Sequence, residues 1–143
     1  MLHLPKADYD EILRHGEETY PHECCGILLG QREAGVGRVL TTVRCGNMRR
    51  DSPRTRYEID PRELIRVQRE ARARQLEIVG FYHSHPGHPP MWSSTDLDEA
   101  HWIGYSYVIL AVERGEAREV KSFVLGGTRE EDKVFTEEEV IFQ

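Results

Sequence analysis

His83 and His85 stand one residue apart at the end of an apolar run, and Ser93 and Asp96 follow behind a proline-rich turn. If that run is a strand, alternate residues share a face and both imidazoles reach one point. Two imidazole nitrogens about 2.0–2.1 Å from a common centre make two corners of a tetrahedral zinc site. The third ligand must come from elsewhere, and an open fourth corner makes such a site catalytic rather than structural. Asp96 is the natural third, because Pro86, Pro89 and Pro90 stiffen the loop that leads to its short helix. Two histidines and one carboxylate suit Zn²⁺, which lowers the pKa of a bound water to about 7 and supplies hydroxide at neutral pH.

Plainer readings fit the same residues. Most H-x-H pairs are ordinary surface or core histidines. Ser93 and Asp96 also form the [ST]-x-x-[DE] pattern of a helix capping box, which needs no metal. His88 lies in the proline loop and His101 five residues past Asp96, off its helical face, so both compete less well as ligands. Spacing alone leaves the metal centre and the capped loop both open.

The elements that must position these residues can be read in outline. Pro5 to about Tyr20 reads as a helix with Tyr9, Ile12 and Leu13 on one side. "CCGILLG" reads as a buried strand, paired with "GRVLTTVRC" across the "QREAGVG" turn. After the loop "GNMRRDSPRT" a brief strand is expected at "RYEI". "DPRELIRVQREARARQ" is the clearest helix, with Asp60 as N-cap, Pro61 first, Glu63 completing a capping-box pattern, and Leu64, Val67 and Ala71 as its apolar stripe. "EIVGFYH" follows as a strand, "STDLDEAHWI" as a short helix, "YSYVILAV" as a central strand, and "EAREVKSFVL" as its hairpin partner across Arg114-Gly115. Strands and helices interleave while two hairpins break parallel alternation, which predicts an α/β fold with a mixed sheet flanked by helices. The final "EVIFQ" reads either as a terminal strand or as an appended tail.

At 143 residues the chain fits one domain, 1–143, large enough to bury a core without disulfides. A net charge of -6 argues against a nucleic-acid partner, which favours a basic surplus. No apolar run approaches a membrane span, and no signal-peptide pattern opens the chain. Three cysteines make no disulfide framework, so a cytoplasmic, reducing location is expected.

Taken together, His83-Ser84-His85, seven residues, Ser93, two residues and Asp96 reproduce the H-x-H-x7-S-x2-D motif, and the chain resembles the JAMM (MPN+) metallopeptidases. That family also carries an upstream glutamate in a P-x-E-x-C-G-x-L-x-G-like strand, which is similar to "PHECCGILLG" and points to Glu23. The "YEIDP" segment before the long helix adds to the resemblance, which covers most of the chain and is nearest to small single-domain prokaryotic members. The resemblance implies a curved mixed sheet of cytidine-deaminase-like type, with zinc held by His83, His85 and Asp96. Glu23 would act as general base on zinc-bound water and return the proton to the leaving amine. Ser93 would hydrogen-bond the oxyanion. The implied activity is hydrolysis after the C-terminal Gly-Gly of a ubiquitin-like or sulfur-carrier protein, releasing cysteine or another extension, with the tail docking as an added strand. Read without the motif, Glu23 is one acid among many, at a solvated strand edge.

Only eight residues separate Asp96 from Tyr105, leaving little room for the long insertions with which larger relatives grip a second ubiquitin. Arg44, Arg49, Arg50, Arg54 and Arg56 against Asp51 read as a solvated loop, or as a patch that steers an acidic partner. Cys24 and Cys25 read as packing residues, with a thiol nucleophile as the alternative. A nucleoside deaminase wants H-x-E and a later P-C-x-x-C, and neither is present. A silent scaffold of the same fold is the other alternative, although such members typically lose ligands that this chain keeps. Oligomeric state, a homodimer included, stays open.

Overall fold

In the computed structural model, which describes residues 1–49 and 56–143, the chain runs β1 (Leu2–Leu4), α1 (Lys6–Thr19), β2 (Cys25–Glu33), β3 (Val36–Cys45), α2 (Pro61–Ala73), β4 (Glu77–Pro86), α3 (Ser94–Glu99), β5 (Ser106–Glu113), β6 (Glu116–Gly126), β7 (Val134–Glu138) and β8 (Val140–Phe142). The strands join one sheet in the order β7-β6-β5-β4-β2-β3-β1-β8, with β4 antiparallel to β2 and parallel to β5. β7 and β8 lie at opposite ends of that order, yet only Glu139 separates them. Two backbone steps span at most about 7 Å, so the sheet curls until its edges approach. The mixed, curved α/β architecture expected from the sequence is present. "EVIFQ" is resolved as a terminal strand, because β8 pairs in parallel with β1.

Two hairpins break the α/β alternation where the turn chemistry requires. Ala34 and Gly35 (φ 53° and 78°) join β2 to β3, and Arg114 and Gly115 (φ 52° and 81°) join β5 to β6. Positive φ at both central residues matches the right-handed twist of the flanking strands, and glycine at the second position carries no steric cost there.

Alternation along the strands divides the apolar residues into two cores. On one face Leu28, Tyr82, Val108 and Leu110 pack with Ile12 of α1. On the other, Ile27, Phe81, Ile109 and Phe123 pack with Val67 and Ala71 of α2, and Leu64 lies against the same cluster. Asp60 caps α2, but it accepts from the N–H of Arg62 at 2.9 Å and no reciprocal Glu63 bond forms. The Arg62 guanidinium also holds the Asp60 carboxylate, at 3.0 and 3.3 Å, and draws it toward that residue.

The brief strand expected at "RYEI" is not part of the sheet. The Asn47 side chain takes the place of a neighbouring strand instead. Its Nδ2 donates to the Arg56 carbonyl at 2.9 Å, its Oδ1 accepts from Glu58 N–H at 3.1 Å, and Met48 N–H donates to the Glu58 carbonyl at 2.8 Å. Arg44 lies within β3 rather than in a loop, and ion-pairs with Glu11 and Glu18 of α1. Arg49 pairs with Glu99 at 2.9 Å, and Arg56 lies 3.8 Å from the same carboxylate. These arginines are engaged within the molecule. Arg50, Asp51 and Arg54 lie outside the described residues.

Candidate metal centre

The site forms where β4 outruns β2. Cys25 opposite His83 is the last β2–β4 pair, whereas β5 accompanies β4 as far as Pro86 and sets the small Ala111 beside His85. His83 and His85 therefore emerge on the α2 and α3 face, with Phe81 beneath them, and Ser84 faces the other way. Both histidines are buried.

Asp96 arrives from α3. Ser93 caps that helix with its Oγ accepting from Asp96 N–H at 3.1 Å, while Ser93 N–H donates to Asp96 Oδ2 at 2.9 Å. The capping box therefore exists, and it aims the carboxylate at the histidines. His83 Nε2 is 3.3 Å from Asp96 Oδ1, His85 Nε2 is 3.0 Å from Oδ2, and the two Nε2 atoms are 3.2 Å apart. The capped loop and the cluster of potential ligands are one structure.

These separations test whether a metal fits. Ligands about 2.0–2.1 Å from a tetrahedral zinc stand roughly 3.3 Å from one another, close to the observed 3.0–3.3 Å. The proton inventory agrees. His85 Nδ1 lies 3.0 Å from the Pro89 carbonyl, which can only accept, so in neutral His85 the proton sits on Nδ1 and Nε2 presents a lone pair. That lone pair faces a second imidazole nitrogen and a carboxylate, an arrangement that needs a cation or a shared proton between them. The Pro89 contact is also the kind of outer support that fixes a metal-binding imidazole. Burial opposes ionisation of Asp96, but the hydrogen bonds to His83 and His85 outweigh it and hold the carboxyl well below the usual range. Burial also pushes the His83 imidazole down, toward the neutral form that a metal requires. The residues fit zinc.

Glu23 corrects the plainer expectation. It is 3 % exposed, not a solvated edge acid, and its Oε1 has no hydrogen-bond partner among the described residues. Burial first, then the negative charges of Asp96 and Glu99, push its carboxyl up to about 9. His88 and His101 are exposed, and His101 sits beside Glu130. Among the described residues the metal-capable cluster is His83, His85 and Asp96. Cys24, Cys25 and Cys45 are buried and unbridged, with burial pushing Cys24 up to about 11 and Cys45 to about 12. A thiolate nucleophile is disfavoured there, and the packing reading stands.

Tyr57 is a site residue that the sequence reading missed. Its ring stacks on His83 with centroids 4.4 Å apart and planes 20° from parallel. His83 Nδ1 has no hydrogen-bond partner among the described residues, so this stacking orients the ring instead. No spacing rule links a tyrosine outside the sheet to a histidine within it. Beside the centre lies a cleft of about 320 Å³ lined by Tyr57, Ile59, Leu64, Phe81, Trp102 and Tyr107, with Arg49, Glu58 and Glu99 at its polar side.

Comparison with known proteins agrees with this geometry. A desampylase of Haloferax volcanii is 38% identical over 112 residues, covering 76% of this chain and 78% of that protein. A probable TtuB-protein conjugate cleaving protease of Thermus thermophilus is 31% identical over 102 residues, covering 71% and 65%. A protein of Desulfitobacterium hafniense with a solution structure superposes with a TM-score of 0.86 at 30% identity, over 100% of this chain and 93% of that one. Residues 5–126 match the family described as prokaryotic homologs of the JAB domain, a span that takes in Glu23, Ser93 and every element converging on His83, His85 and Asp96. The chain belongs to that family.

Proposed function

We propose that this protein is a zinc-dependent hydrolase that cuts the peptide or isopeptide bond after the C-terminal Gly-Gly of a ubiquitin-like or sulfur-carrier protein. The carrying observation is the convergence of His83, His85 and Asp96 at 3.0–3.3 Å, with the charge of Asp96 reaching the buried carboxyl of Glu23. The names of the two relatives, a desampylase and a protein-conjugate cleaving protease, support the reaction class.

His83, His85 and Asp96 would hold the zinc, which when bound supplies a Lewis acid for the scissile carbonyl and an acidified water. Glu23 takes up the proton released during attack and returns it to the departing nitrogen. Its partnerless Oε1 is free to receive that proton. Ser93 Oγ already accepts from Asp96 N–H, so its own O–H remains available to donate to the developing oxyanion.

An extended tail has an edge to join. Asn47 and Met48 engage Arg56 and Glu58 on one side, and the backbone groups of the alternate residues Tyr57 and Ile59 make no hydrogen bond among the described residues. A strand added there would run past the cleft toward the histidines.

The test uses protein loaded with zinc and a ubiquitin-like protein bearing a C-terminal extension after Gly-Gly. Cleavage after the second glycine, lost when that pair is replaced by bulkier residues, supports the reading. Stoichiometric zinc with no cleavage of peptide- or lysine-linked conjugates would favour the silent scaffold.

A further inference from the structure

Nothing among the described residues hydrogen-bonds Oε1 of Glu23, which is buried without a partner. The carboxyl is therefore positioned by what fixes its backbone. Directly after Glu23 the chain is clamped by Ser84, the residue between the two histidines. Ser84 N–H donates to the Cys24 carbonyl at 3.2 Å, as an antiparallel ladder demands. The return bond is different. Cys24 N–H donates to the Ser84 hydroxyl at 2.8 Å, where a regular ladder would use the Ser84 main-chain carbonyl.

This exchange has a structural consequence. With a side-chain acceptor on Cys24, β2 stops pairing with β4 and the chain leaves the sheet at Glu23. Cys24 and Ser84 are almost wholly buried, at 1 % and 0 %, so water cannot replace the hydroxyl at that amide. The Glu23 carbonyl, in the same peptide unit as the Cys24 N–H, accepts a longer 3.4 Å bond from Asn47 Nδ2, and before Glu23 the chain is held by the exposed His22 N–H donating to the Thr19 carbonyl at 3.0 Å. The stronger and drier clamp is Ser84.

We propose that Ser84 is a positioning residue, whose hydroxyl sets where the Glu23 carboxyl stands relative to the metal-binding side chains. The inference rests on Glu23 being the base. Ser84 touches neither substrate nor metal. It works through the Cys24 amide, from the face of β4 opposite the histidines.

Ser84→Thr and Ser84→Val test this as a matched pair, because they have the same shape and differ only in the hydroxyl. Misplacing a catalytic group by about 1 Å costs on the order of 100-fold in rate. The valine variant should therefore fall roughly 10- to 100-fold below the threonine variant in kcat on the extended ubiquitin-like substrate, with KM unchanged. Cobalt in place of zinc should give the same visible spectrum in both, since His83, His85 and Asp96 stay where they are. Hydrogen exchange at the Cys24 amide should be slow with threonine and fast with valine, a readout that needs no turnover. Equal kcat in the two variants overturns the proposal, as does loss of bound cobalt in the valine variant alone, which would make Ser84 a support for the ligands. Failure of the wild type itself to cleave, with slow exchange at Cys24 intact, would instead overturn the reading of the site as a hydrolase.

Discussion

Ser93 and Asp96 are bonded to each other twice, Oγ to N–H at 3.1 Å and N–H to Oδ2 at 2.9 Å, and the same Asp96 carboxylate reaches His83 and His85. One pair of residues starts a six-residue helix and aims a carboxylate at two imidazoles. A helix that short is marginal alone, so the cap is needed to keep the carboxylate in register with β4.

Ser93→Ala should consequently show two separable effects. Loss of the cap costs about 1 kcal/mol, a few degrees of melting temperature for a chain of this size. Loss of the oxyanion donor should lower kcat by about 100- to 1,000-fold. Calorimetry and steady-state kinetics on one preparation distinguish them, and a rate loss no larger than the stability loss explains would remove Ser93 from the chemistry.

Asp96→Asn or His85→Ala should reduce bound zinc from about one ion per chain to a small fraction, because two ligands do not complete a tetrahedral site. Metal analysis after dialysis against excess zinc measures this directly. A chelator should abolish cleavage by the wild type, and added zinc should restore it. Full zinc occupancy in both variants would mean that the ion binds elsewhere.

Glu23→Gln keeps the shape of the site and removes the proton acceptor. Turnover should fall by roughly 100- to 10,000-fold with zinc content unchanged, and cleavage at wild-type rate would exclude Glu23 as the base. In the metal-free protein the same substitution should also change how stability depends on pH. A carboxyl raised to about 9 binds its proton in the folded state while the unfolded chain releases it near 4.5, so stability falls as pH rises between those values. Glu23→Gln should flatten that part of the melting-temperature profile.

Tyr57→Phe should be nearly silent in metal binding, because a phenyl ring still stacks on His83. Tyr57→Ala should weaken zinc affinity by about 10- to 100-fold, the usual cost of removing an outer support. Competition with a zinc-sensitive dye gives both constants. If alanine and phenylalanine prove equivalent, the stacking plays no part in orienting His83.

His15 supplies a pH test remote from the centre. It is buried under the sheet, 2.7 Å from the Tyr82 hydroxyl, with Arg44, Glu11 and Glu18 around it. Burial first, then Arg44, pushes its imidazole down from 6.5 to about 4 despite the opposing glutamates. The unfolded chain thus takes up a proton at a higher pH than the folded one. This stability is complete above about 6.5 and is lost as pH falls toward 4. Melting curves of wild type and His15→Gln should diverge least near pH 4 and most above 6.5, and parallel curves across that window would refute the coupling.

Much of the fold was legible because local signals and tertiary demands agreed. The helix at 61–73 carried its own cap, first-turn proline and apolar stripe, and both hairpins had glycine where φ must be positive. Where a reading missed, long-range contacts had overridden a local pattern. "RYEI" has strand composition, yet Asn47 and Met48 pair with it and no strand of the sheet does. Glu63 stood where a capping box wants it, but the Arg62 side chain drew the Asp60 carboxylate to a different amide. "EVIFQ" became a strand only because the sheet curls far enough to bring β1 beside it.

By itself the sequence determined which side chains could bind a metal, their spacing, and the alternation that turns His83 and His85 to one face, because these depend on chain geometry over a few residues. Tertiary structure alone decided that Asp96 comes within 3.0–3.3 Å of both imidazoles, that Glu23 is buried where the charge of Asp96 reaches it, that Tyr57 stacks on His83, and that the Ser84 hydroxyl bonds the Cys24 amide. Those relations join segments far apart in the chain, and they are set by how strands pair and which groups are cut off from water. No local pattern encodes either.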